Sequence, residues 1–577
     1  MAGSAHRVRW GFRAARCGWA TMLALLGIGL AGALASAAAF PDPPLDLLVV
    51  DARIWTGQAE QPWAEAMGVR QGRIVWVGAK PEPLPAAQRT LAGAQRLIVP
   101  GFYDAHVHLV GAGLGLARVQ LKDAADAAEF AKRLREFDAR LPRDRWLLGG
   151  RWDHDRTFGG ELPTAAQLDA IVPHRPVFLH RYDGHSGVAN SQALKLANIT
   201  AETPNPPGGE IVRGPDGRTP TGVLRNNAKA LVEKLIPPPD AEEIAEALTA
   251  AMQEVRAAGV TSVEDMDGSS PSVRRRHFAL LQQFERQDRL TCRVSLRWPL
   301  SDHAELSRLG VTFPFGSDFV RIGGLKGYAD GSLGSSSARM FAPYVHEPSQ
   351  RGVWVTPPGR METLIEEADA SGLNITVHCI GDEANAVLLD LYAGAAVKNR
   401  PRDRRFRIEH AQILRREDYS RFAAGKVIAS MQPYHIIDDG RWAEGRIGRE
   451  RCAAGYACRS LLDAGAVLAF GSDWPVAPLC PLQGIAAAVH RRTLDGAHPL
   501  GWIPEQKITV AEALRAYTWG SAFAAGVERV QGTLAPGFLA DFVLLDRNVL
   551  DPSEVDRIAA TKVLVTVVGG RVVFERP

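Results

Sequence analysis

At 577 residues the chain is longer than one compact core sustains, so a large domain with a smaller companion is expected. Charged residues at 23% and hydrophobic residues at 46% describe an ordinary globular protein. The net charge of +3 comes without any Lys/Arg cluster interleaved with aromatics, which speaks against a nucleic-acid partner and for a small, roughly neutral substrate.

The first forty residues differ in kind. Arg7, Arg9, Arg13 and Arg16 precede an apolar run from Trp19 to about Ala39, which closes in small residues such as Ala35-Ser36-Ala37. That order predicts a signal peptide over residues 1–39 and a secreted or periplasmic protein. The alternative is an uncleaved anchor facing the periplasm, since the run is nearly long enough to span a bilayer. Cys17 stands before the apolar run, which argues against lipoprotein processing, and the lack of consecutive arginines argues against a Tat signal. Removing the segment leaves Cys292, Cys379, Cys452, Cys458 and Cys480, an odd number with no disulfide framework. Whether Cys452 and Cys458 pair is left open.

Residues 45–96 read as short strands, Asp46–Trp55, Ala66–Arg70 and Arg73–Gly78, the last two joined by a Gln71-Gly72 turn. Such a segment is too small to bury a core alone. The C-terminal runs Asp541–Asp546, Val563–Val568 and Arg571–Phe574 offer partners. The expectation is a composite β-sandwich assembled from residues 45–96 and 530–577.

Between them, residues 97–529 alternate strand-like runs with helical periods, which implies a parallel sheet. The runs are the strand carrying His106, then Pro176–Leu179, Val260–Val263, Thr291–Leu296, Val320–Ile322, Leu373–Val377, Arg405–Ile408, Val427–Ser430 and Val467–Phe470. These nine are one more than a closed (β/α)8 TIM-type barrel needs, so one belongs to an edge or an insertion. A barrel is the best reading, and its functional residues should sit at the C-terminal ends of strands. A Pro/Gly-rich stretch around 200–225 and a second loop over Gly331–Gly352 read as long insertions that cover a substrate, with plain surface connections as the alternative.

The pattern that carries chemistry begins at His106 and His108. Alternate residues of a strand face the same way, so the two imidazoles project together and make half of a metal site. Lys326, His378, His410 and Asp473 each end an apolar run and precede a loop. Any one of them alone reads as a satisfied core residue or a helix cap. All of them together with His106-x-His108 are harder to dismiss.

With these residues in view, the chain resembles the amidohydrolase superfamily, in its family 3 branch that includes N-substituted formamide deformylases. The resemblance rests on Pro100–Leu109, Gly324–Gly334, His378–Asp382, Arg407–Gln412 and Gly471–Val476. It extends through Pro163-Thr164, Leu168-Asp169, Asp183-Gly184-His185, Asn190-Ser191, Gly532–Gly537 and Ala540-Asp541. It implies a (β/α)8 barrel with a divalent metal site, zinc by default. His106 and His108 would hold one metal and His378 and His410 a second. Lys326 would bridge them as a carbamate, since an ammonium has no lone pair to offer. Asp473 would bind the first metal and act as the catalytic proton carrier. One metal or two is left open.

The implied reaction is hydrolysis of a non-peptide carbon–nitrogen bond, that of an N-acyl or N-formyl amine, by metal-activated water. Opening of a lactone or ester, and removal of an amine from a ring, are the enzymatic alternatives. A binding protein without turnover is the non-enzymatic one. Trp152, His185, Asp330 and His435 are the candidate substrate contacts, with a structural role as the alternative for each. Ser336-Ser337 and Glu383 depart from residues common in the family near the expected mouth, which leaves the substrate open. A homo-oligomer is also left open, and a membrane partner is expected only if the N-terminal segment is retained.

Overall fold

Eight parallel strands carry the fold in this computed structural model, which describes residues 43–181, 186–207, 209–267 and 271–577. The strands are β1 Phe102–Val107, β2 Val260–Asp265, β3 Arg293–Pro299, β4 Val320–Tyr328, β5 Ile375–Cys379, β6 Arg407–His410, β7 Ile428–Met431 and β8 Leu468–Phe470. They pair in that order. The seam between β8 and β1 closes just beyond β8: the Asp473 N–H donates to His106 O at 2.7 Å and the His108 N–H to Trp474 O at 2.8 Å. Most of these strand residues are buried, apolar ones such as Val294, Leu296, Ile375 and Val377 alternating with buried polar ones such as Ser295, Arg297 and Thr376 that point into the barrel. Residues Pro44–Pro577 form one compact unit. The predicted signal peptide lies outside the described residues.

Each crossover brings a helix whose apolar face packs on the barrel. Ala241–Ala257, before β2, is started by a capping box in which Asp240 and Glu243 satisfy each other's backbone N–H groups. It buries Ile244, Leu248, Met252 and Val255, spaced at helical period. Pro358–Ala370 and Asp382–Lys398 follow β4 and β5.

The ninth run finds its place elsewhere. Pro176–Leu179 contributes to Val177–Arg181, a strand of a separate six-stranded sheet built from residues 119–226 between β1 and β2. The insertion is therefore far larger than the expected 200–225, which supplies only its edge hairpin, Gly209–Arg213 with Pro220–Asn226. A buried apolar run states that a strand is covered on both faces, not which sheet it joins. This sheet has cores of its own, one around Phe130, Leu134 and Trp152, the other around Phe178, Leu194 and Leu224.

Trp152 is corrected by the same observation. It is fully buried in the insertion core, its indole N–H donating to Leu179 O at 3.0 Å, and it is no substrate contact. Trp152→Phe is expected to lower stability by about 1 kcal/mol through the lost hydrogen bond and volume. KM and kcat should stay unchanged, as denaturant titration and steady-state kinetics would show.

The two ends of the chain form two further sheets. One has the order Arg73–Gly78, Ala66–Arg70, Leu45–Val50, Ala87–Ala92, all from the N-terminal side. The other mixes both ends: Arg571–Glu575, Val563–Val568, Phe542–Leu545, Leu97–Pro100, Arg53–Trp55 and Trp63–Ala64. Their shared core joins Leu47, Val49 and Ile54 to Phe542, Leu544 and Val565. Leu97–Pro100 belongs to this sheet, so the barrel begins at Phe102 rather than at residue 97. The chain changes sheets at Gly101, where a Cβ would lie 2.2 Å from Thr261 Oγ1 and only glycine fits. Arg293, opening β3, ties the sheet to the barrel through Asp541, with Nε and Nη2 at 2.7 and 2.9 Å from its carboxylate oxygens.

All five described cysteines are free thiols, and Cys452 and Cys458, both buried, do not pair. Burial pushes the thiols of Cys292 and Cys452 up to about 12 and that of Cys458 to about 11. A thiol alkylator applied to the native protein is expected to find Cys480 first, because it alone of the five is partly exposed. The other four should react only after unfolding, which peptide mass mapping would show.

Candidate metal centre

His106 and His108 project together from the end of β1, as alternation along a strand requires. Their Nε2 atoms lie 3.5 and 3.3 Å from the same oxygen, Asp473 Oδ1. Asp473 reaches them because the chain after β8 turns sharply. Its own backbone is left-handed (φ 59°), and a Cβ on Gly471 would stand 2.5 Å from the His106 nitrogen. His410 closes β6 with φ 74°. In a regular strand it would face away from Glu409, and this twist is what lets His410 line the cavity while Glu409 lies in the barrel interior beneath it. Strained backbone of this kind clusters at functional sites.

Each of four imidazoles is anchored through one ring nitrogen. His106 Nδ1–H donates to Glu409 Oε2 at 2.6 Å, and His108 Nδ1–H faces Asp267 Oδ1 at 3.3 Å. His410 Nδ1–H donates to Gln432 Oε1 at 2.7 Å, and His378 Nε2–H to Gly331 O at 3.0 Å. The second nitrogen of His106, His378 and His410 is left with its lone pair, and that of His108 carries a proton a cation would displace, the arrangement by which outer groups orient metal-binding histidines. The rings converge: His106 lies 5.6 Å from His108 and 5.1 Å from His410, and His410 lies 4.5 Å from His378. Among the described residues, two sets of donor atoms fall within 4.8 Å of one another, His106, His108 and Asp473, and His410, His435 and Asp473.

Burial keeps the rings neutral. It pushes His106 and His378 down to about 4, helped by the nearby Lys326 charge, and His410 well below its ordinary value. For His108 burial also opposes a charge, but Asp267 and Asp473 overcome it and raise the ring to about 9. Two carboxylates that hold a proton there are equally suited to a divalent cation. Burial would raise Asp473, yet the surrounding histidines hold its carboxyl well below the usual range, so it stays ionised. Burial also lowers Lys326 to about 8, against the pull of Glu409 and Asp473. The donor set of imidazoles and one carboxylate thus fits a divalent metal ion, which would displace the proton His108 holds in its absence.

Beneath this layer lies a buried ionic network. Glu409 accepts from Arg407, Thr376 and Ser430 as well as from His106. Arg407 and Arg297 both donate to Glu264, and Arg407 also reaches Ala105 O. The motif Arg407–Gln412 contained Glu409, and strand alternation sets it on the same face as Arg407. Asp267 ends the run after β2, where a strand-end carboxylate is a readable signal. Gln432 carries no such signal.

The remaining candidates separate. His435, in the first turn of helix Pro433–Asp439, has its Nε2 4.0 Å from Asp473 Oδ2. That atom is buried with no hydrogen-bond partner, so His435 is at once a cavity residue and a possible donor to a cation. Asp330 is corrected: it is 1% exposed and its carboxylate accepts the N–H groups of Arg339, Ile380 and Gly381 at 2.8, 3.0 and 2.8 Å. It fastens the loop after β4 to the loop after β5 and does not face a substrate. His185 lies outside the described residues.

These residues surround a cavity of about 440 Å3, whose wall is completed by Tyr328, Gln412, Asp439, Trp442 and Val476. The departures from the family pattern are not among its wall residues. Glu383 pairs with Arg339 and Arg351, and Ser336 accepts from Arg446 at 2.9 Å.

The model of the amidohydrolase family matches residues 92–574. The Arabidopsis thaliana protein LONG AFTER FAR-RED 3 is 37% identical over 92% of this chain and 91% of its own. An N-substituted formamide deformylase of Arthrobacter pascens is 29% identical over 92% of this chain and 98% of its own. An uncharacterized metal-dependent hydrolase from Pyrococcus furiosus superposes with a TM-score of 0.72 at 28% identity, covering 88% of this chain and all (100%) of that one.

Proposed function

Since the chain belongs to the amidohydrolase family and is a hydrolase, we propose that it cleaves a non-peptide carbon–nitrogen bond, that of an N-acyl or N-formyl amine. The observation that carries this reading is the convergence of His106 Nε2 and His108 Nε2 on one oxygen of an ionised Asp473, each ring locked by a carboxylate behind it. Likeness to a relative that is a formamide deformylase supports the choice of bond.

His106, His108 and Asp473 would hold one zinc ion, and His378 and His410 a second, with Lys326 between them as a carbamate. Carbamate formation needs the neutral amine, which burial of Lys326 favours. A cation so held supplies Lewis acidity and lowers the pKa of water from 15.7 to about 7. Asp473 accepts the proton of the attacking water and returns it to the departing nitrogen, base first and then acid. His435, 4.0 Å from the outer oxygen of Asp473, steadies that carboxylate.

Elemental mass spectrometry of the purified protein tests the centre. About two zinc ions per chain are expected, falling to about one in Lys326→Ala. One zinc in both proteins would leave Lys326 a mere hydrogen-bond donor. Matched amide and ester substrates separate amidase from esterase action, and no metal-dependent turnover of any amide would overturn the reading.

Metal affinity should depend on pH in a definite direction. His108 is protonated below about 9 in the metal-free protein, whereas His106 and His378 are already neutral above about 4. Loading therefore displaces the His108 proton and, with Lys326 as a carbamate, a Lys326 proton as well, so apparent affinity should rise more than about tenfold per pH unit between pH 5 and 8. A slope of only about tenfold would report that Lys326 keeps its proton. Competition with a chromophoric chelator reads this.

We also assign the basic-then-apolar N-terminal segment as an export signal. The mature periplasmic protein should then lack about the first 39 residues by intact mass.

A further inference from the structure

A second cavity of about 170 Å3 lies beside the first and shares Lys326 and Tyr328 with it as walls. One side of its lining is apolar, Met266 after β2, Pro299 and Leu300 at the end of β3, and Met361 and Leu364 on helix Pro358–Ala370, while Ser301 and Thr356 add hydroxyls. Arg297 also reaches it, but Nε and Nη2 of that guanidinium are engaged by Glu264 at 2.9 and 2.6 Å. Tyr328 stands at the junction, its ring 5.2 Å from Lys326 Nζ and 5.7 Å from the His378 ring. Nothing in the proton chemistry at Asp473 uses this space.

Its position decides which end of a substrate it can take. Asp473 follows β8 and His435 follows β7, whereas the second cavity opens at the ends of β3 and β4. In an eight-stranded ring those strands face each other across the barrel. The leaving nitrogen must lie at Asp473 to receive its proton. The group on the other side of the carbonyl carbon then points toward β3 and β4. A cavity of about 150 Å3 with aliphatic walls admits benzene, so this one has room for a ring of that size.

We propose that this cavity is the acyl subsite, taking an uncharged apolar acyl group of phenyl or branched-alkyl size, while the amine end occupies the larger cavity beside Asp439 and Trp442. The inference rests on the amide-hydrolase reading above and specifies its substrate as a bulky N-acyl amine rather than a formamide.

The test uses the metal-loaded protein and one amine carrying formyl, acetyl, isobutyryl or benzoyl groups. The expected result is a rise in kcat/KM along that series, benzoyl exceeding formyl by about tenfold or more. Leu364→Phe, which fills the cavity from the helix, should reverse the order. Thr356→Phe, from a half-buried loop position on the same wall, should do the same if Leu364→Phe folds poorly. A binding readout stands apart from turnover: titration calorimetry should show benzoate binding about tenfold tighter than acetate, with parity in the filled variants. A fall in kcat/KM from formyl to benzoyl, with benzoate no tighter than acetate, overturns the subsite and leaves amide hydrolysis standing. No turnover of any amide, with benzoate still the tighter acid, overturns the proposed reaction and leaves the subsite.

Discussion

Asp473→Asn is expected to lower kcat by about 10³-fold or more while the protein folds as before. An amide neither accepts the proton of attacking water nor returns it to a leaving nitrogen, and losing such acid–base work costs about 10²–10⁴-fold on its own. The substitution also removes the anion that both His106 Nε2 and His108 Nε2 face at 3.5 and 3.3 Å. Two readouts separate the roles. Metal content reports whether the carboxylate is needed to hold the ion. The His108 titration, raised to about 9 with the help of Asp473, should fall toward the ordinary imidazole value in the metal-free variant. A variant that kept its metal and came within tenfold of the wild-type kcat would remove Asp473 from the proton path.

What the sequence disclosed and what it concealed follow from the range of the interactions. His106 and His108 were legible because strand alternation is local: two residues apart means one face, and the structure puts both rings on one carboxylate. The strand-end positions of Lys326, His378, His410 and Asp473 were legible because each follows an apolar run that the barrel buries. Sheet membership was not legible, since a short buried run such as Val177–Leu179 does not state which strand it will pair with, and only the fold puts it in the inserted sheet. Trp152 and Asp330 stand near motif residues in the chain, but one fills a core and the other satisfies three backbone N–H groups. Both outcomes depend on distant partners. Gln432 is a further case: only the fold brings its side chain to His410 Nδ1.

Glu409→Ala is expected to cost about 3–5 kcal/mol of stability, the effect of removing one partner from a buried charge pair. The carboxylate is fully buried and is shared by Arg407, His106, Thr376 and Ser430, so its loss leaves Arg407 with one carboxylate, Glu264, beside the carbonyl of Ala105. Glu409→Gln keeps the shape and an acceptor for His106 Nδ1–H but removes the charge, so it should cost less and weaken metal binding by about 10–100-fold. The sign of the pH dependence is fixed. Burial would raise the Glu409 carboxyl, but Arg407 and His106 outweigh it and hold it well below its ordinary 4.5. Its contribution is fully present above that value and is lost as pH falls toward the folded pKa. The stability gap between wild type and Glu409→Gln, measured by chemical denaturation, should therefore be constant at neutral pH and shrink below pH 4.5. A gap that widened in acid would mean that Glu409 is protonated in the native protein. In that case it could not orient His106 as a charged acceptor, and the second nitrogen of that ring would lose its claim on a cation.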